Sequence, residues 1–205
     1  MPSAGLQFSS FLYRFRGYIL GVIAVVLVLF PPSLFPNKYC INDCIAGIFI
    51  AVPVYVASMF LRVRSRQFIG EHTRGSVHAA DVLVTCGPYS LVRHPLYVSN
   101  TGFALGIAFF HLGISVWVVP FMSVVIAFEI MLSRIEDRFL EQKFGGTWRA
   151  WALKTPAFWP RLGRSSPVLP QRTFWQAFFA DSSTWLWLLF CNLLLVLRKL
   201  AVLYV

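Results

Sequence analysis

Residues 97–133 read YVSNTGFALGIAFFHLGISVWVVPFMSVVIAFEIMLS, thirty-seven positions with one formal charge, Glu129. A membrane-spanning helix needs about 20 apolar residues to cross a hydrocarbon core about 30 Å thick. This stretch is too long for one crossing and is predicted to fold as a helical hairpin that turns near His111-Leu112-Gly113. Three further apolar runs flank it. Tyr18–Phe35 and Cys44–Leu61 are 18 residues each, the first with Pro31-Pro32 near its far end and the second with Pro53 inside. Trp185–Leu197 follows an aromatic stretch that holds Thr173-Phe174-Trp175 and Phe178-Phe179. The expectation is an all-α, polytopic membrane helical bundle of about five transmembrane helices, one membrane domain over residues 1–205.

Composition agrees. Of 205 residues, 58% are apolar and 13% charged, with a mean hydropathy of +0.68; soluble domains carry about 25% charged residues. A chain this short has too little interior to hide that much apolar surface from water. A soluble enzyme, a disordered chain and a disulfide scaffold are thereby excluded. The first apolar run is too long for a cleaved signal peptide and lacks a small-residue cleavage site, so it reads as a retained span.

The charges are distributed unevenly. Arg14 and Arg16 precede the first span. Arg62, Arg64, Arg66, Arg74 and Arg93 lie between the second span and the hairpin, and eight Lys or Arg lie between Arg134 and Arg172. Fifteen of the eighteen basic residues thus fall on one side, which the positive-inside rule makes cytoplasmic, N-terminus included. The membrane is either a bacterial inner membrane or endoplasmic reticulum. The net charge of +10 fits a membrane surface and anionic small molecules rather than nucleic acid. Arg62-Val63-Arg64-Ser65-Arg66 reads as a juxtamembrane anchor for anionic headgroups. The four cysteines, Cys40, Cys44, Cys86 and Cys191, contain no CxxC pair, so no metal site is expected.

Two segments carry residues suited to chemistry. Residues 83–97, LVTCGPYSLVRHPLY, combine a Gly87-Pro88 turn signal with Arg93-His94-Pro95 immediately before the hairpin. Pro95 suits the first turn of that helix, whose free N–H groups, with Arg93 and His94 beside them, would attract a carboxylate or phosphate. Tyr89 and Tyr97 offer flat faces to a purine or a sulfonium. In residues 129–160, Glu129, Ser133, Glu136 and Asp137 share one helical face. The same helix continues to Phe144-Gly145, and Trp148, Trp151, Pro156 and Pro160 follow. Acids on that face can bond ribose hydroxyls or balance a cation, and an acid inside an apolar stretch, such as Glu129, usually has a partner or a task.

Taken together, GPYSLVRHPLY and, about forty residues on, EDRFLEQKFGGTWRAW with Pro156 and Pro160 resemble membrane-embedded methyltransferases, among them isoprenylcysteine carboxyl methyltransferases and bacterial phospholipid methyltransferases. The resemblance covers residues 80–162. It implies S-adenosylmethionine as cofactor, held between the region Val84–Tyr97 and the acidic pair Glu136-Asp137. Gly87 and Tyr89 would border the cofactor, His94, Pro95 and Tyr97 would form its wall, and Glu136 would contact ribose or the amino group. The acceptor would be a membrane lipid or lipidated group: a prenylcysteine carboxylate, a phospholipid amine or a lipid phosphate. An anionic nucleophile needs only an orienting cation, for which Arg93 is the candidate; an amine needs a proton acceptor, for which Glu129 is. Two positions depart from the family pattern: Ser99 stands where Gly is common, and Asp137 where Glu is common. Parts of sterol reductases, which use NADPH, look similar, but those chains are longer. A non-catalytic membrane scaffold is the remaining alternative.

Overall fold

The structure, a computed structural model, describes residues 4–29, 41–69, 82–161 and 168–203. Pro31-Pro32, Cys40 and Arg74 lie outside these residues, as does the side chain of Cys44. Eight helices run in the order α1 (Ala4–Leu29), α2 (Ile41–Phe68), α3 (Pro88–Leu91), α4 (Pro95–Leu112), α5 (Val118–Phe144), α6 (Gly146–Ala152), α7 (Phe174–Phe179) and α8 (Ser182–Leu203), with no strand among the described residues. The hairpin forms where expected. α4 ends at Leu112, Gly113 caps it with a φ of 65°, and α5 returns from Val118.

Within α2, α5 and α8, Ala46–Phe68, Val118–Phe144 and Ser182–Leu200 are long and apolar enough to cross a membrane. The apolar part of α1, Phe15–Leu29, is shorter, and α4 carries Ser99, Asn100, Thr101 and His111 within its 18 residues. Among the described residues, length and composition therefore support three spans, and the expected count of five is not confirmed. Apolar side chains stay exposed along α2 (Phe49, Val52, Val56, Phe60) and α8 (Leu186, Leu189, Leu193), the faces such helices turn to lipid.

In lipid, helices gain nothing from burying apolar surface against one another, so close backbone approach and polar bonds must join them. The α2–α4 pair is built that way. A Cβ on Gly47 would fall 2.4 Å from Phe109 O, one on Gly102 2.0 Å from Ser58 Oγ, and one on Gly106 2.7 Å from the Tyr55 ring. Ser99 is fully buried in this seam and its Oγ donates to Ser58 O at 2.9 Å. The departure at Ser99 is thus a helix–helix bond. Tyr55 reaches across to α8, where its hydroxyl donates to Asn192 Oδ1 at 3.1 Å. Pro53 does not interrupt α2, as is common for proline in membrane helices.

The two ends of the bundle differ. At the far end, Leu27, Val28, Ile107, Leu112, Val118, Met122, Cys191 and Leu195 form an apolar core from α1, α4, α5 and α8. There Arg198 donates to Val28 O and Lys199 to Phe110 O, so two cations of α8 satisfy carbonyls at the C-terminal ends of α1 and α4. At the near end, α3, α6 and α7 fold over the projecting ends of α2 and α5. A capping box between Thr173 and Gln176 starts α7, and Gln67 O accepts from the N–H groups of Gln171 and Arg172.

Candidate functional site

The near end brings together the two segments that the sequence separates by about forty residues. Backbone bonds join them directly. Arg93 N–H donates to Pro156 O (2.9 Å), His94 N–H to Ala157 O (3.2 Å) and Arg161 N–H to Leu91 O (3.0 Å). Trp151 Nε1 donates to Tyr89 O at 3.2 Å. The N–H groups of Arg93 and His94 are thus taken by carbonyls of the 156–157 turn, and Pro95, buried at the first position of α4, has none to offer.

Side chains add an ionic seam. Asp137 Oδ1 lies 3.0 Å from His94 Nε2 and Asp137 Oδ2 lies 3.2 Å from Arg93 Nη1. A carboxylate only accepts, so His94 Nε2 carries the proton in that bond. The Arg93 guanidinium sits over the Trp148 ring at 5.6 Å. His94 is itself buried between Tyr97, stacked at 5.4 Å, and Phe158 at 5.9 Å. Arg93, His94 and Asp137 therefore engage one another, so Arg93 is not a bare cation awaiting an anion.

Glu136, the neighbour of Asp137, behaves differently. Its nearest cationic contact is His94 Nδ1 at 4.0 Å, too long for a hydrogen bond, and its side chain keeps 31% of its surface. Val84 is half-buried against Phe68, Ile69 and Tyr89. Gly87 has a φ of 58°, and a Cβ there would fall 2.5 Å from the Phe68 ring, so conformation and space both require glycine. Tyr89 is 8% exposed, and its hydroxyl has no hydrogen-bond partner among the described residues.

Glu129 lies two turns deeper on α5 than Glu136 and is 1% exposed. Neither carboxylate oxygen makes a hydrogen bond of good geometry, although the Asn100 amide lies alongside and the guanidiniums of Arg62 and Arg16 act on it from further away. Along one face of α5 the residues run from deeply buried Glu129 through buried Ser133 to half-open Glu136. A group entering at Glu136 and one held at Glu129 would meet between them.

The headgroup-anchor reading of Arg62–Arg66 does not hold for two of its arginines. Arg62 and Arg66 are buried and converge on Asp181, itself 1% exposed, with Nε–Oδ2 distances of 2.8 and 3.0 Å. Arg62 also donates to Asn100 Oδ1 at 2.6 Å and to Thr184 Oγ1 at 3.1 Å. The four-residue spacing that puts both arginines on one helical face was visible in the sequence. So was the isolation of Asp181, the single acid after Glu141. Only the return of α7 onto α2 turns that face inward. Among the described residues no three His, Cys, Asp or Glu side chains group closely enough to hold a metal ion.

Comparison with known proteins bears on this arrangement. The family model for phospholipid methyltransferases matches residues 46–147, from early α2 to the start of α6. The cobalt-zinc-cadmium resistance protein CzcN of Cupriavidus metallidurans is 42% identical over 82 residues, 40% of this chain and 37% of that protein. The nickel-cobalt-cadmium resistance protein NccN of Alcaligenes xylosoxydans xylosoxydans is 36% identical over 80 residues, 39% of this chain and 37% of that protein. The matched segments thus span little more than a third of the length of these relatives. No solved structure matches. Residues 46–147, just under half of the chain, thus match the phospholipid methyltransferase family.

Proposed function

We propose that this protein transfers a methyl group from S-adenosylmethionine to the amine of a membrane lipid, from a site on the cytosolic face of its membrane. The observation that carries the reading is the contrast along α5. Glu136 at the mouth and Glu129 in the interior lack tight hydrogen bonds among the described residues, while Asp137, next to Glu136, is engaged by Arg93 and His94. The residues present fit the cofactor. Glu136 can take a ribose diol or an ammonium, the aromatic wall of His94 and Tyr97 can face a sulfonium, and the buried Tyr89 hydroxyl has a bond to offer. When bound, S-adenosylmethionine supplies an electrophilic methyl on a sulfonium. A neutral amine would take that methyl with its lone pair, leaving the donor as a thioether, and would lose its proton to a base, the role proposed for Glu129. For a carboxylate or phosphate acceptor the orienting cation would be Arg93, which already faces Asp137. Excluding water at this depth strengthens each of these interactions.

Protein reconstituted in lipid nanodiscs should bind S-adenosylmethionine at micromolar concentration and be stabilised by it. No calorimetric or thermal response at millimolar cofactor defeats the proposal. Stabilisation by NADPH instead would move the chain to the reductase alternative, and silence toward every nucleotide would leave a scaffold.

A further inference from the structure

We propose that Arg66 and the hydroxyl of Tyr89 form an oxyanion-binding subsite, braced by Asp181, that holds the anionic group of a bound substrate: the phosphate of the lipid acceptor or the α-carboxylate of the methyl donor. This rests on the methyltransferase reading above and adds to it a recognition element whose brace, Asp181, lies beyond the residues matched by the family model.

Three observations converge. The Tyr89 hydroxyl is a buried donor with no partner among the described residues, where such groups are normally bonded. Burial raises its pKa far above the usual phenol range, so it remains a neutral O–H, and the charged groups acting on it are Arg66, Glu136, Arg62 and Asp181. Tyr89 packs against Phe68 and Ile69 at the end of α2, two and three residues past Arg66, and Arg66 is incompletely used. Of its five N–H donors, only Nε is bonded among the described residues, to Asp181 at 3.0 Å, which leaves the terminal amino groups. Finally, two buried guanidiniums converge on one carboxylate, so Asp181 orients both arginines without neutralising both. A fixed guanidinium fork with a neighbouring hydroxyl donor is suited to an oxyanion. Arg62, by contrast, is spread over Asp181, Asn100 and Thr184 and serves as the strut.

The test uses the full chain in nanodiscs, with Tyr89→Phe, Arg66→Gln and Arg66→Lys. An orphan hydroxyl supports no bond in the free protein, so Tyr89→Phe should leave its melting temperature unchanged or slightly higher. The probes are S-adenosylmethionine, 5′-methylthioadenosine (which lacks the carboxylate) and glycerophosphoethanolamine. If the carboxylate is held, Tyr89→Phe and Arg66→Gln weaken S-adenosylmethionine about tenfold and leave methylthioadenosine unchanged, a loss expected for one such bond. If the phosphate is held, both variants weaken glycerophosphoethanolamine by a similar factor and leave both nucleosides unchanged. In either case Arg66→Lys restores part of the affinity. Variants that bind S-adenosylmethionine as the wild type does, together with headgroup binding that is absent or unaltered, overturn the subsite alone. A wild-type chain that binds no S-adenosylmethionine overturns the methyltransferase reading, and the subsite with it.

Discussion

Two polar regions share the near end of the bundle, and they differ in how fully they are satisfied. In the seam between α4 and α5, Arg93, His94 and Asp137 pair with one another, and the backbone beside them is bonded to the 156–157 turn. A helix turn or two away, Glu129 and the Tyr89 hydroxyl are buried without bonds of good geometry, and Glu136 faces outward. Leaving a buried polar group unbonded costs about 1–3 kcal/mol. A fold bears such a cost where a ligand will supply the missing partner. Under the proposed function the paired region would be framework and the unpaired one the binding surface, although both derive from the same two motifs and Arg93 Nε in the former is also buried without a partner among the described residues.

Substitutions can break this comparison. The largest effect is expected at Glu129, where Glu129→Gln keeps the shape but removes the proton acceptor. Turnover should fall by 10²-fold or more, the usual scale for a general base, while S-adenosylmethionine binding, read by calorimetry, persists. Lost binding with intact turnover per bound cofactor would reverse the assignment. Asp137→Ala should act on stability. It strips Arg93 and His94 of their shared partner and should cost about 2–3 kcal/mol, seen as a lower melting temperature with or without cofactor. Glu136→Gln should do the opposite, leaving the melting temperature of the free protein in place and weakening S-adenosylmethionine about tenfold, the equivalent of one lost charge-assisted bond. Equal behaviour of the two variants would erase the distinction. The smallest effect belongs to Ser99→Gly, which deletes the bond to Ser58 O. A cost of about 1 kcal/mol is expected, with no change in cofactor affinity.

Much of this frame was legible in the sequence. The 37-residue apolar stretch contained a hairpin, Pro95 opened α4, and Phe144-Gly145 closed α5. The meeting of the two motifs was legible too, through family resemblance. The division of labour between Glu136 and Asp137 was not. Adjacent helical residues point about 100° apart, and which one meets His94 depends on how α5 is rotated, a tertiary property. The arginines of α2 were misread because basic residues at a membrane edge usually face headgroups. Their burial depends on Asp181, more than a hundred residues away, which α7 and the start of α8 bring back over α2. Ser99 looked like a departure from the family pattern, and its side chain bonds the α2 backbone.

The length of α2 has a consequence for the host bilayer. One continuous helix connects Gly47, wedged against Phe109, to Phe68, which packs against Tyr89 and Gly87. At about 1.5 Å per residue that lever is roughly 30 Å long. A helix that meets a thicker or thinner hydrocarbon layer adjusts by tilting. Under the proposed function, tilt at one end would displace the floor beneath a bound nucleoside at the other, and acyl-chain length would become an input to catalysis.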